Sequence, residues 1–251
     1  MVTLFNLPAD ETKDEVYHGE QLILSTLHDC SEILKDQMIQ IAQMVSLLFE
    51  SQGIDNLGLY YLSLIQKTLA NISAFETLIN AKNYPTSLAL SRMQLDIYLK
   101  INAILFVEDP EYFAQYVLED KPLHLFRDKN FTKGMKDTEL CKRIDKIQKN
   151  NWVSQKYSET SKYIHPSRRD AEHILKGVTA LEGSDLQKYT YVIERNGYLP
   201  ISIGDLLKIC QEFILIGDEI RSSLLKTSDY LRNGYLKELR QKDQLKNANQ
   251  K

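Results

Sequence analysis

Residues 57–79 read LGLYYLSLIQKTLANISAFETLI and carry apolar side chains around most of the helical circumference. The pattern predicts a helix over Leu57–Ala81, and a helix of this kind normally lies centrally because each of its faces must be covered. A turn at Gly53–Asn56 precedes it, and Asn83-Tyr84-Pro85 ends it. We therefore predict a mainly α fold, a bundle of long antiparallel helices arranged around this segment.

The other helices are predicted from apolar residues that recur at steps of three and four. Upstream, this pattern begins at Asp10 and predicts a long helix that is broken near Asp29–Ser31 and ends before Gly53. Downstream, the pattern predicts helices over Thr86–Val107, Glu111–Leu118, Thr138–Gln148, Val153–Ile164 and Leu206–Leu231.

Three segments lack a helical pattern and are predicted as non-helical or frayed. They are an N-terminal arm at residues 1–9, an irregular loop at residues 119–136 and a polar tail at residues 237–251. The sequence contains no internal repeat and no linker that would separate two parts. One helical domain over residues 1–251 is the economical organisation.

A small β-hairpin is predicted at about residues 188–203. Aromatic and β-branched residues in Lys188–Ile193 and Tyr198–Ile203 flank the pair Asn196-Gly197, which is the strongest short-range hairpin signal. An isolated hairpin is marginally stable in water, so we expect this one to pack on the side of the helices.

The composition excludes several classes of protein. The chain of 251 residues has a formal net charge of −3 and a pI near 6.0, so its overall charge does not attract nucleic acid. It has no apolar run long enough for a signal peptide or a membrane span. Cys30, Cys141 and Cys210 are scattered without metal-type spacing, and there is no phosphate-binding glycine loop. We expect reduced thiols, a cytoplasmic location, no membrane contact, no metal and no cofactor.

Arg92 and Asp96 are the first candidates for a functional site. They lie one turn apart in an otherwise apolar helix, where an unpaired buried charge would cost several kcal/mol. Two interpretations follow. The residues form a structural pair that ties two helices together, or Arg92 binds a phosphate or carboxylate while Asp96 orients it.

Tyr157, Ser161 and His165 are spaced four residues apart and lie on one face of a helix. Their hydroxyls and imidazole could form one hydrogen-bond network, and this network could meet Arg92 and Asp96 across a helix interface. An Asp–His contact would orient a general base, and it would serve equally well in a satisfied polar core.

The chain resembles HEPN-type helical domains, and in particular a bacterial group of uncharacterised proteins allied to HEPN and abortive-infection proteins. The resemblance rests on LSRMQLDIYLKI at 90–101, on YSETSKYIHP at 157–166 and on the long final helix, and it covers about residues 55–230. HEPN ribonucleases use an Arg-x4–6-His motif without metal, in a site that two subunits share. The resemblance implies that Arg168 would bind the scissile phosphate and that His173 would act on the RNA 2′-hydroxyl.

Helix geometry restricts how Arg168 and His173 could act together. Residues five apart point about 140° away from each other, so Arg168 and His173 converge only if Arg168 lies at a helix start. Arg169 lies one turn from His173 and shares a face with it more easily. His165 is therefore as good a catalytic candidate as His173.

Two functions remain open on the sequence. One is a HEPN-like, metal-independent ribonuclease or its inactive relative in stress or phage defence, with RNA as substrate. The other is a non-enzymatic helical module with a buried structural polar network and a protein partner. A homodimer through the long helices is compatible with both, although no heptad repeat indicates it.

Overall fold

A computed structural model describes residues 26–49, 55–81, 83–162 and 203–230. These residues contain seven α-helices and no strand, so a mainly α fold is confirmed for them. The helices are α1 (Leu27–Phe49), α2 (Asn56–Asn80), α3 (Tyr84–Ala103), α4 (Pro110–Leu118), α5 (Asp137–Gln148), α6 (Trp152–Ser161) and α7 (Ile203–Tyr230). Short 3-10 helices lie at Ile104–Phe106 and Leu123–Leu125. None of the described helices combines the length and the apolar character that crossing a bilayer requires.

Side-chain caps explain where several helices begin. The Asp55 carboxylate accepts a hydrogen bond from the Gly58 amide at 2.7 Å at the start of α2. Asp109 caps α4 in the same way, through the Tyr112 amide at 3.0 Å. These caps satisfy amides that have no partner within the helix. The predicted bounds of α2, α4 and α5 lie within one residue of the observed ones.

The predicted break near Asp29–Ser31 is wrong, because these residues form the first turn of a continuous α1. The Thr26 amide donates to the Asp29 carboxylate at 2.8 Å, and the Asp29 amide donates to the Thr26 hydroxyl at 3.1 Å. This reciprocal pair is a capping box, which starts a helix. The polar residues that suggested an interruption are therefore the helix start.

The predicted hairpin falls almost wholly outside the described residues. Its last residue, Ile203, is described and is the first residue of α7, so this residue is helical and is not part of a strand. The predicted arm, the polar tail and the helical pattern before residue 26 also lie outside the described residues.

The central helix is α3, rather than the α2 segment that the sequence pattern favoured. α3 packs against α2, α5, α6 and α7, and α1 packs against both α2 and α7. Polar side chains join α3 to its neighbours: Asn71 donates to Gln94 at 3.1 Å, and Asn102 donates to Ser223 at 3.0 Å. Both ends of the Asn102 amide have partners, whereas only the oxygen of the Gln94 amide has one among the described residues. α3 thereby carries Arg92 into a region that α5 and α6 cover.

The segment at 119–136 is irregular apart from the 3-10 turn at Leu123–Leu125, as predicted. It is nevertheless anchored, because Phe126, Phe131 and Met135 are all buried. The Phe126 ring meets the Phe113 ring of α4 edge to face, with centroids 5.0 Å apart. Three buried side chains thus attach the loop to the core and determine where α5 begins.

Candidate functional site

Arg92 lies at the junction of α3 and α6 and is only 4% exposed. Its Nη1 contacts the Asp96 carboxylate one turn along α3, and its Nε donates to the Ser161 hydroxyl at 3.4 Å. The guanidinium carbon lies 3.9 Å from the centroid of the Tyr157 ring, which places the cation over the aromatic face. Three different interactions therefore hold one cation.

Tyr157 connects this cluster to α5. Its hydroxyl donates to the Asp137 carboxylate at 3.1 Å, and Asp137 is the first residue of α5. A carboxylate in the first turn also interacts favourably with the helix dipole. The tyrosine, in the middle of α6, therefore joins this helix to the start of α5 and to the middle of α3.

Ser161 has both sides of its hydroxyl engaged. It donates to the Tyr157 carbonyl at 2.6 Å and accepts the hydrogen bond from Arg92. Because its proton points to the backbone, the hydroxyl donates to no base within the part of the chain that the structure describes. The geometry fits a structural role for Ser161.

Burial disfavours the charged forms of Asp96 and Tyr157 in the cluster. Burial raises the pKa of Asp96 above its ordinary value of 3.8, and the Arg92 guanidinium opposes this shift. Burial, with the Asp137 charge next in size, raises the pKa of Tyr157 to about 12. The same two causes raise the pKa of the nearby Cys141 thiol to about 12, so this buried cysteine is not a reactive thiolate.

The structure brings together four of the candidates predicted from the sequence. Arg92, Asp96, Tyr157 and Ser161 form one cluster across the interface of α3 and α6, as the spacing suggested. The two hydroxyls of the predicted network do not bond each other, since the Tyr157 hydroxyl donates to Asp137 and the Ser161 hydroxyl donates to the Tyr157 carbonyl.

The remaining candidates, His165, Arg168, Arg169 and His173, lie outside the described residues. Their roles as catalytic and binding residues therefore remain predictions. Ser161, which Arg92 holds, comes four residues before His165 in the chain.

Asp137 is the member of the cluster that sequence reasoning missed. It stands 20 residues before Tyr157, and only the packing of α5 on α3 brings the two together. Its position immediately before the predicted helix Thr138–Gln148 was a signal for a capping role, but it did not indicate which side chain it would meet.

Replacing Tyr157 with phenylalanine is expected to lower the free energy of unfolding by about 1 kcal/mol, since only the hydrogen bond to Asp137 is lost. Tyr157→Leu also removes the ring under Arg92 and is expected to cost about 2 kcal/mol in total. Urea denaturation measures both. Tyr116, whose hydroxyl bonds an exposed carbonyl, provides the control, and Tyr116→Phe should cost less than about 0.5 kcal/mol. Equal losses for the two Tyr157 variants would contradict a cation–π contribution.

Within the described residues, no group of three or more His, Cys, Asp or Glu side chains is arranged to hold a metal ion. No family model, no curated protein and no solved structure matches the chain.

Proposed function

We propose that this chain is a non-enzymatic helical interaction module, a bundle of antiparallel helices of the HEPN-like kind in which the Arg92 cluster is a structural tie. The observation that carries the proposal is the burial of Arg92 beneath three partners. A phosphate could reach the guanidinium only by displacing Asp96, Ser161 or the Tyr157 ring. A cation engaged in this way positions helices and is unsuited to bind a substrate.

A protein partner would contact the surface formed by α4 and the following loop. Tyr112 and Leu125 are each 52% exposed, and both adjoin the buried Phe126. Adjacent large apolar side chains in contact with water are typical of surfaces that bind other proteins. This surface lies on α4 and the anchored loop and leaves the Arg92 cluster closed.

The second candidate is the metal-independent ribonuclease that the resemblance implies, with a cytoplasmic location and a site shared across a homodimer. The hydrogen bond from Arg92 to Ser161 favours the ribonuclease, because this bond anchors the chain four residues before His165. In this case His165 or His173 would take the 2′-hydroxyl proton, and Arg168 or Arg169 would stabilise the charge on the phosphate. Arg92 would then be a positioning residue.

Cleavage of structured RNA in the presence of EDTA separates the two candidates. We expect no cleavage above the protein-free blank, for the wild type and for His165→Ala and His173→Ala alike. His124→Ala changes an exposed histidine of the loop and is the matched control. Cleavage by the wild type that His124→Ala retains and that either of the other two variants abolishes would overturn the module and establish the ribonuclease.

A further inference from the structure

Positive charge is locally concentrated along the chain, and residues 121–149 form one such segment. Residues 121–149 contain nine Lys and Arg and four Asp and Glu, although the whole chain has a formal net charge of −3. The rest of the chain is therefore clearly acidic. A local concentration of cations on an acidic protein indicates a surface for an anionic partner.

Three of the nine cations of this segment form ion pairs with carboxylates. Lys121 contacts Glu119, Lys129 contacts Glu108, and Arg143 contacts Glu139. In the part of the chain that the structure describes, Lys142, Lys146 and Lys149 form no such ion pair. All three are exposed. Their charge is therefore available to a ligand.

The three lysines converge on one solvent-open pocket. Lys142 and Lys146 lie one turn apart on α5, and Lys149 ends the helix in a left-handed conformation with φ 55°. With Asn150, Asn151 and Ser154 they line a pocket of about 380 Å³ between α5 and α6. We call this surface the lysine basin. Its amide and hydroxyl groups add hydrogen-bond donors beside the ammonium groups.

Asp145 lies in the same pocket, but its carboxylate is engaged by α6. It accepts hydrogen bonds from the amides of Val153 at 2.9 Å and Ser154 at 3.1 Å, and the residue is only 5% exposed. The positive end of the α6 dipole thus offsets this negative charge. The three ammonium groups are left as the exposed charges of the basin.

We propose that the lysine basin binds phosphate groups in the backbone of a nucleic-acid strand. Lysine ammonium groups, amides and hydroxyls are the groups that contact phosphate oxygens in such complexes. A strand is favoured over a small anion because the exposed positive charge is spread over more than the pocket, with Lys133 and Lys136 also exposed near the start of α5. The helix dipole favours cations at a helix C-terminus, which accounts for Lys146 and Lys149. It does not account for Lys133, Lys136 or Lys142.

This inference goes beyond the proposed function, because it does not require that the chain cleave RNA. The probe is a fluorescently labelled 2′-O-methyl RNA strand, which cannot react through its 2′-hydroxyl. Fluorescence anisotropy measures its affinity for the wild type and for Lys142→Gln/Lys146→Gln/Lys149→Gln. The matched control is Lys35→Gln/Lys67→Gln/Lys226→Gln, which removes the same charge from exposed positions on α1, α2 and α7.

We expect the basin triple variant to bind roughly tenfold more weakly, and the slope of log affinity against log salt to decrease by about 2, or about 0.7 per lysine. The control triple variant should bind like the wild type. A DNA strand of the same sequence should bind within severalfold, since phosphates are the groups contacted. Thermal unfolding of both variants confirms that they are folded.

The proposal is overturned if the wild type does not bind the strand, or if both triple variants lose affinity equally. Equal losses would show a response to net charge alone. An acidic peptide of equal charge is the competitor, and it should displace the strand no better than salt of the same ionic strength does. Displacement by the peptide at concentrations where that salt has no effect would assign the basin to a protein partner instead.

Discussion

Replacing Arg92 with alanine is expected to lower the free energy of unfolding by about 3 kcal/mol. The substitution removes a long, buried side chain and leaves a cavity, which by itself costs about 2 kcal/mol or more. It also removes the contact with Asp96, the hydrogen bond to Ser161 and the cation over Tyr157. Arg92→Lys keeps the charge but loses the planar group that stacks on the ring, so we expect about half of this loss.

Arg143 provides a matched control for this prediction. Like Arg92, it pairs with a carboxylate one turn away, Glu139, and it lies over an aromatic ring, with its guanidinium carbon 4.1 Å from the centroid of Phe131. The Arg143 side chain is 30% exposed, against 5% for Arg92. Arg143→Ala should therefore cost only about 1 kcal/mol in urea denaturation. If Arg92→Ala costs no more than this, the cluster is not a structural tie and Arg92 is available to bind a ligand.

Asp96→Asn is expected to behave differently and to change the stability at neutral pH by less than about 1 kcal/mol. The pKa of Asp96 is raised by burial, so the folded state favours its neutral form, which asparagine imitates. The folded protein retains this proton at pH values where the unfolded chain has released it. The contribution of Asp96 is therefore fully present below its ordinary pKa of 3.8 and is lost as the pH rises through the raised value. The wild type should therefore lose stability relative to Asp96→Asn as the pH rises from below 3.8 through the raised pKa of Asp96.

The positions of the helices could be predicted from the sequence because their ends carry local signals. Asp55 and Asp109 are caps, and apolar spacing identifies the faces that are buried. The wrong prediction of a break near Asp29–Ser31 arose because a capping box and an interruption have the same polar composition. Local composition alone does not distinguish a helix start from a break.

The central position of α3 could not be predicted in the same way. Its buried positions include Ser91, Gln94 and Asn102, and such residues normally indicate a surface. Gln94 and Asn102 are buried with partners on α2 and α7, Asn71 and Ser223, and no sequence pattern identifies these partners. Polar pairs across helix interfaces become recognisable only once the packing is known.

Four of the five members of the Arg92 cluster were predictable, for a related reason. The spacing of Tyr157 and Ser161 indicates a shared helix face, and a buried arginine needs partners. Asp137 comes from a different helix, and its contact depends on the angle at which α5 packs. The spacing of Lys142, Lys146 and Lys149 was present in the sequence, but their convergence on one pocket depends on the left-handed Lys149 that turns the chain towards α6.

Asp145 is expected to stabilise the fold and to weaken nucleic-acid binding. Its substitution should therefore lower the free energy of unfolding, and removal of its charge should raise the affinity for nucleic acid. Asp145→Ala leaves the amides of Val153 and Ser154 without their acceptor, and we expect a loss of about 3 kcal/mol in the free energy of unfolding. Asp145→Asn retains one acceptor oxygen and should lose about half as much. The exposed cap Asp55 is the control, and Asp55→Ala should cost only about 1 kcal/mol.

The effect of Asp145→Asn on binding follows from its place in the lysine basin. The substitution removes the negative charge that the pocket contains, so the affinity for the labelled 2′-O-methyl strand should rise severalfold at low salt, while the folded fraction stays close to one. Anisotropy titrations and urea denaturation on the same preparation measure both effects. A decrease in affinity with a decrease in stability would mean that Asp145 acts only by holding α5 against α6. Higher affinity together with lower stability would show that the charge of Asp145 weakens binding, while its hydrogen bonds stabilise the packing of α5 on α6.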